Sequence, residues 1–148
     1  MKNKIAILGG GMIGSAMAMD LARGGRWDVT VADVRGQALE RVRARGPVRT
    51  VQADLADPGV VGRLVGEHDL ALGALPSLLG LQTLRAVLEA RRDYVDISFM
   101  PENPLELDGL ARQQGVTAVV DCGVAPGVSN MTAGFAAAQL DGCERVEI

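Results

Sequence analysis

Three glycines, Gly9, Gly11 and Gly14, follow the apolar run Ile5-Ala6-Ile7-Leu8, and they constrain this chain more than any other feature. A short uninterrupted apolar run marks a strand buried on both faces of a parallel sheet. The spacing G-x-G-x-x-G is that of a turn leading from such a strand into a helix and binding a dinucleotide. Each glycine has a physical task. Gly9 lets the backbone turn sharply, Gly11 lets a pyrophosphate approach the main chain, and Gly14 lets the helix pack close to the strand. The helix start near Met12 and Ile13 then offers backbone N–H groups and a positive dipole end to phosphate.

A glycine-rich loop can also serve only to turn the chain, so its surroundings decide. Ile13, Met17 and Leu21 recur at helical spacing after the turn, which predicts a helix with those residues as its apolar stripe. A second strand, Val29 to Ala32, ends in Asp33, nineteen residues after Gly14. A carboxylate accepting hydrogen bonds from an adenosine ribose belongs at that place. It accepts from a 2′-hydroxyl and repels a 2′-phosphate, so the expected cofactor is NAD in preference to NADP. Arg35, two residues on, is placed to pair with a phosphate.

The rest of the chain alternates strand and helix, which predicts an α/β fold: a doubly wound parallel sheet of about six strands. Gln37 to Arg45 reads as a helix with Leu39 and Val42 inward, and Val48 to Leu55 as the third strand. Asp57-Pro58 opens the next helix, Asp57 as N-cap and Pro58 at its first position. A fourth strand, Asp69 to Ala74, leads to Ser77 as N-cap of a helix carrying Leu81, Leu84 and Leu88. Tyr94 to Ser98 is the fifth strand. Asn103, Pro104 and Glu106 resemble a capping box opening a helix that Gly115 closes. Val116 to Val120 is the sixth strand, and a last helix runs from about Ser129 to Leu140. Cys143 to Ile148 alternates apolar and polar residues and reads as the start of a further strand. On this reading residues 1–140 form the dinucleotide-binding domain, and 141–148 begin a substrate and dimerisation domain absent from the chain.

Composition narrows the partners. The chain has 148 residues, 48% of them apolar, enough for a proper core. Its net charge of −3 and its 3% aromatic content give no footprint for nucleic acid. Arg41, Arg43, Arg45 and Arg49, the basic cluster, read as a solvated face. No apolar run reaches the length of a membrane span. Cys122 and Cys143 lack metal-ligand spacing and read as reduced thiols in a cytoplasmic protein, with no metal site expected.

Ligands of an open α/β sheet bind beyond the carboxyl ends of its strands. Asp96 and Ser98 after strand five, and Asp121 and Cys122 after strand six, are expected to face that crevice. Asp54 and Leu55 at the end of strand three, and Ala74, Leu75 and Pro76 after strand four, join Gly9, Gly11, Met12, Ile13, Gly14, Asp33 and Arg35 as the candidate cofactor-binding set. His68, the only histidine, precedes strand four at the opposite end and reads as a surface residue. Asp96 reads equally as a structural carboxylate satisfied by loop N–H groups and as a functional one. For Asp121 the structural reading is preferred. Cys122 reads as a small, inert, buried residue.

Gly9-Gly-Gly-Met-Ile-Gly14, Ala74-Leu-Pro-Ser77, Asp93-Tyr-Val-Asp-Ile-Ser-Phe-Met-Pro-Glu102 and Asp121-Cys-Gly-Val-Ala-Pro-Gly-Val-Ser-Asn130 together resemble the saccharopine dehydrogenase superfamily, and most its lysine 6-dehydrogenase branch. The resemblance implies an NAD(P)-dependent oxidoreductase acting at the C–N bond of an amino acid. It also implies a Rossmann domain followed by a substrate domain that makes homo-oligomer contacts. The amine's proton must go to a base. Asp96 is the candidate close to that reaction and Glu102 the weaker one. The chain alone is then expected to bind dinucleotide and turn over no amino acid. Two other classes remain open at this point: a non-catalytic NAD-binding regulatory module, and a site for another adenine nucleotide. The absence of G-x-x-x-x-G-K-[ST] argues against a P-loop.

Overall fold

A computed structural model describes residues 3–147. Six strands form one parallel sheet: β1 (Lys4–Leu8), β2 (Asp28–Asp33), β3 (Arg49–Gln52), β4 (Leu70–Gly73), β5 (Asp93–Asp96) and β6 (Ala118–Val119). Their spatial order is β3-β2-β1-β4-β5-β6. The chain therefore leaves β1 toward one edge and returns to β4 on the other side. That reversal opens a crevice beyond the carboxyl ends of β1 and β4. The register fixes its floor, with Leu8 of β1 opposite both Ala32 of β2 and Gly73 of β4.

Helices cover both faces, as alternation along β1 requires. Ile5 and Ile7 point with Val29 and Val31 toward a core closed by Ala18, Leu39 and Val42, from α1 (Met12–Ala22) and α2 (Gly36–Arg43). Ala6 and Leu8 point the other way, with Ala71 and Tyr94, onto Val61, Val65, Leu84, Val87 and Leu88. Those belong to α3 (Pro58–Gly66) and α4 (Gly80–Glu89). Two further helices, α5 (Asp108–Gln114) and α6 (Val128–Ala137), follow. No helix among the described residues is long and apolar enough to cross a membrane.

Local signals hold where they depend on near neighbours. Asp57 caps α3 by accepting from the Gly59 N–H at 2.7 Å, and Gly115 ends α5 in the left-handed region at φ 68°. Asn103 accepts from the Leu105 N–H at 3.1 Å, though as the cap of a 3-10 turn, Pro104–Leu107, that precedes α5, and without a return bond from the Glu106 side chain.

Five expectations change. The fully buried face of α1 is Gly14, Ser15 and Ala18, small side chains that let the helix lie close to the sheet; Met17 and Leu21 pack partly buried against that core as expected, while Ile13 is exposed. Ser77 makes no side-chain cap; a 3-10 turn over Ser77–Leu79 intervenes and α4 starts at Gly80. His68 is buried, its Nδ1 2.9 Å from the Leu64 carbonyl oxygen, although it does lie at the amino end of β4. Cys122 is exposed, since β6 ends at Val119 and the loop beyond it stands outside the core. Residues 142–147 form no strand, because alternation without a neighbouring ladder leaves backbone groups unpaired; Ile148 lies outside the described residues.

Candidate functional site

The turn out of β1 is held by backbone. The Gly9 N–H donates to Ala32 at 2.8 Å and the Ala74 N–H donates to Leu8 at 2.8 Å. Gly9 has φ 107°, and a Cβ there would lie 2.5 Å from the Ala74 carbonyl oxygen. A Cβ on Gly14 would lie 1.9 Å from the Gly9 carbonyl oxygen. Glycine at both places is a packing requirement. Gly11 differs. A Cβ there would meet only Arg35 Nη2, at 3.8 Å, so the protein itself leaves that space open. No side chain caps α1 at Gly11, and its first-turn N–H groups and positive dipole end face the same opening.

The opening is a crevice of about 420 Å³. Gly9, Gly11, Met12 and Ile13 form one wall, Asp33 and Arg35 one end, and Ala74, Leu75, Pro76 and Ser77 the wall after β4. Ile97, Ser98 and Phe99 close it on the β5 side. Met12, Ile13 and Phe99 leave large apolar surfaces exposed around it, which suits a flat ring held between apolar contacts. Ser77, Ile97 and Phe99 were not in the candidate cofactor-binding set read from sequence. The strand-end rule reaches them once it extends from one to about four residues past the last ladder pair, Gly73 with Asp96.

The other candidates lie elsewhere. Gly14 sits behind the turn. Leu55 is buried in the core with Val61 and Val65, and Asp54 is exposed and accepts from the Ala56 N–H at 3.0 Å. Glu102 is exposed and stands outside the lining of the crevice. Asp121, at φ 58°, and Cys122 are outside it too; the Cys122 N–H donates to the Asp96 carbonyl at 2.9 Å. Of the four strand-end groups expected to face the crevice, Ser98 alone lines it. Two arginines of the expected solvated face, Arg41 and Arg45, border a hollow shared with Gly10, Gly11, Met12 and Ser15.

Asp33 is buried and its carboxylate is fully engaged. Oδ2 accepts from the Gly10 N–H at 2.8 Å and from Arg35 Nη2 at 3.2 Å. Oδ1 accepts from the Arg35 N–H at 2.8 Å and from Arg35 Nε at 3.1 Å. Burial works to raise the Asp33 pKa, but the Arg35 side chain, the two backbone N–H donors and the Arg35 charge outweigh it and hold the carboxyl below its ordinary value. The reciprocal effect raises Arg35.

Asp96 is 1% exposed, behind the crevice wall rather than on it. It accepts from the Ser98 N–H at 3.2 Å and from the Ser98 hydroxyl. The Tyr94 hydroxyl converges on it across Gly73, and both would strike a Cβ on that glycine. Burial pushes the Asp96 carboxyl up; hydrogen bonds from Ser98, Ile97 and Tyr94 offset only part of this. Burial also pushes the Tyr94 hydroxyl well up, and the Asp96 charge adds to it.

A raised carboxyl has a consequence for stability. The folded chain holds the Asp96 proton more tightly than the unfolded chain. Its contribution is therefore full below the ordinary value of 3.8 and is lost as pH rises through the raised one. Asp33 acts oppositely, contributing above 3.8 and losing that contribution as pH falls through its lowered value. Urea midpoints measured from about pH 4 to about pH 7 should show a smaller loss on raising the pH for Asp96→Asn than for wild type. Parallel curves would mean that Asp96 titrates alike in both states.

Comparison with known proteins adds a family. Residues 5–119 match the family described as the saccharopine dehydrogenase NADP binding domain. The mitochondrial alpha-aminoadipic semialdehyde synthase of Rattus norvegicus is 23% identical over 133 residues, which are 89% of this chain and 14% of that protein. The NADP(+), L-glutamate-forming saccharopine dehydrogenase of Pyricularia oryzae is 22% identical over 130 residues, 87% of this chain and 29% of that protein. In structure, apo saccharopine dehydrogenase (L-Glu forming) from Saccharomyces cerevisiae superposes with a TM-score of 0.82 at 18% identity, over 93% of this chain and 31% of that one. That likeness is one of fold. The chain spans less than a third of the length of each of these relatives.

Proposed function

Because this chain belongs to the saccharopine dehydrogenase NADP binding domain family, we propose that it is the cofactor-binding part of a nicotinamide-dependent oxidoreductase acting on the C–N bond of an amino acid, of the saccharopine dehydrogenase and lysine 6-dehydrogenase kind. The observation that carries this reading is the open space at Gly11. The protein's own packing demands glycine at Gly9 and Gly14 but not at Gly11. A ligand lying against the main chain does demand it.

The chain's residues divide the work of binding. The first-turn N–H groups of α1 receive the pyrophosphate. Asp33 and Arg35 meet the adenosine ribose at the end of β2. Met12, Ile13 and Phe99 supply apolar walls, and Ser98 supplies a hydroxyl near the β5 end of the crevice. A bound nicotinamide dinucleotide brings the two-electron acceptor for the amine carbon. In this reading Asp96 is a positioning residue. It lies too deep to touch substrate and acts by holding the Ser98 hydroxyl.

Calorimetric titration of the chain with NAD+ and with NADP+ tests the reading. At least one should bind in the micromolar range ordinary for such sites. A chain folded by circular dichroism that binds neither overturns it. For the substrate class, nucleotide reduction is followed with lysine, saccharopine and other diamino acids, using an enzyme in which this chain replaces the matching segment of a full-length relative. Binding without reduction of nucleotide by any of them would remove the amino acid part of the proposal and favour a regulatory module.

A further inference from the structure

We propose that the end of the sheet opposite the crevice holds a second binding site, and that it takes a small hydroxy acid carrying one negative charge. The site stands independently of the dinucleotide reading above.

A hollow of about 380 Å³ lies toward the amino ends of β1, β2 and β3, against the last turn of α3. Two of its lining side chains are polar and deeply buried: Thr30 of β2, 6% exposed, and His68 in the turn from α3 to β4, 7% exposed. Burying a hydroxyl or an imidazole costs free energy unless each polar atom finds a partner. His68 satisfies one of its two nitrogens, with Nδ1 2.9 Å from the Leu64 carbonyl oxygen. A carbonyl only accepts, so Nδ1 carries a proton, and in the neutral ring Nε2 presents a lone pair. Neither Nε2 nor the Thr30 hydroxyl has a side-chain or backbone partner among the described residues. An acceptor and a group that both donates and accepts therefore share one floor, and together they suit the hydroxyl groups of a ligand.

The rim supplies charge. Lys4, Arg43 and Arg49 stand around it, all exposed. Arg49 gives Nε and Nη2 to Asp28, and Arg43 gives Nε to Thr50. Nη1 of Arg49 and both Nη atoms of Arg43 remain as donors, beside the Lys4 ammonium. Glu67 is the carboxylate on the same rim. With Asp28 counted, three cations face two carboxylates, so the rim favours a single negative charge and Glu67 resists a second. An anionic head at the rim and hydroxyl groups at the floor describe a hydroxy acid.

The test is an amide NMR titration of the chain with glycerate, set against propionate, glycerol and glycerol 3-phosphate. Glycerate is expected to shift the amides of Thr30, Arg49 and His68 and to saturate at about millimolar concentration or below. Propionate, which lacks the hydroxyl groups, should bind about threefold to tenfold more weakly, the effect of one hydrogen bond. Thr30→Val keeps the branched shape and removes a hydroxyl without a protein partner. It should match or exceed wild type in urea midpoint and lose most of the preference for glycerate over propionate. Lys4→Gln with Arg43→Gln should weaken both acids alike, by about fivefold or more at low salt. Glu67→Gln should improve glycerol 3-phosphate relative to glycerate. NADP+ should not displace glycerate, since the crevice lies at the other end of the sheet. Absence of shifts at Thr30 and His68, an unchanged preference in Thr30→Val, tighter wild-type binding of glycerol 3-phosphate than of glycerate, or displacement by NADP+ each overturns the site. None of these results touches the dinucleotide reading, which stands or falls on the nucleotide titrations.

Discussion

Gly11→Val is expected to fold normally and to lose dinucleotide binding by about a hundredfold or more. The reason is a separation of roles within the glycine turn. Gly11 has φ −68° and ψ −166°, an extended backbone open to any residue. A Cβ there meets nothing closer than Arg35 Nη2 at 3.8 Å. Valine at an N-cap costs at most about 1 kcal/mol relative to glycine, so the urea midpoint should shift little. The branched side chain would nevertheless stand where the pyrophosphate approaches the main chain and would hold it away from the N–H groups of α1. Gly14→Ala is the contrast. Its Cβ would lie 1.9 Å from the Gly9 carbonyl oxygen, a backbone atom that cannot swing aside. That variant should lose stability first and binding only as a result. Calorimetry and urea unfolding on both variants separate the two. Equal affinity of wild type and a folded Gly11→Val chain would remove the assignment of this turn to phosphate.

The same distinction shows what sequence can carry. Features set by near neighbours were legible: the glycine turn, the Asp57 cap, the αL stop at Gly115 and the acid at the end of β2. Features set by another element were not. The glycine spacing marks Gly14 for close packing on the strand, but helical spacing does not say that Ser15 and Ala18 join it there while Ile13 is exposed. Asp33 was legible as a ribose acceptor, and Arg35 as a phosphate partner. Their mutual pairing depends on how the chain leaves β2, which spacing does not fix. Asp96 was legible as a strand-end carboxylate. Its burial follows from Tyr94 on its own strand and Gly73 on the next, a pairing known only once β4 and β5 are in register. Asp54 and Leu55 lie beyond the third strand, which is shorter than expected and ends at Gln52.

Gly73→Ala should be strongly destabilising. Gly73 sits in β4 with β1 on one side and β5 on the other, opposite Leu8 and Asp96. Parallel ladders on both sides hold its backbone, so the strand cannot retreat from an added side chain. That methyl would lie 2.1 Å from the Tyr94 hydroxyl oxygen, 2.2 Å from Asp96 Oδ1 and 2.8 Å from Tyr94 Cζ. Tyr94 and Asp96 are each 1% exposed, and neither has free space to enter. Overpacking costs about 1 to 3 kcal/mol, and a buried polar group forced off its partner about 1 to 3 kcal/mol more. A loss of about 3 kcal/mol or more is expected, or roughly 10 °C in melting temperature for a domain of this size. Gly134→Ala, in α6 with nothing beyond its own helix backbone within 4 Å of the added Cβ, is the control and should gain about 0.5 to 1 kcal/mol. Tyr94→Phe in the Gly73→Ala background should recover only part of the loss. It removes the hydroxyl but leaves the ring carbon and the Asp96 oxygen in the way. The effect reaches the crevice, because Asp96 holds the Ser98 hydroxyl at its wall, and displacing the carboxylate frees that hydroxyl to turn. Urea midpoints of the three variants against wild type measure the ladder of effects. A Gly73→Ala chain within about 1 kcal/mol of wild type would show that Tyr94 and Asp96 can step aside together, and would deny Asp96 the fixed position from which it orients Ser98.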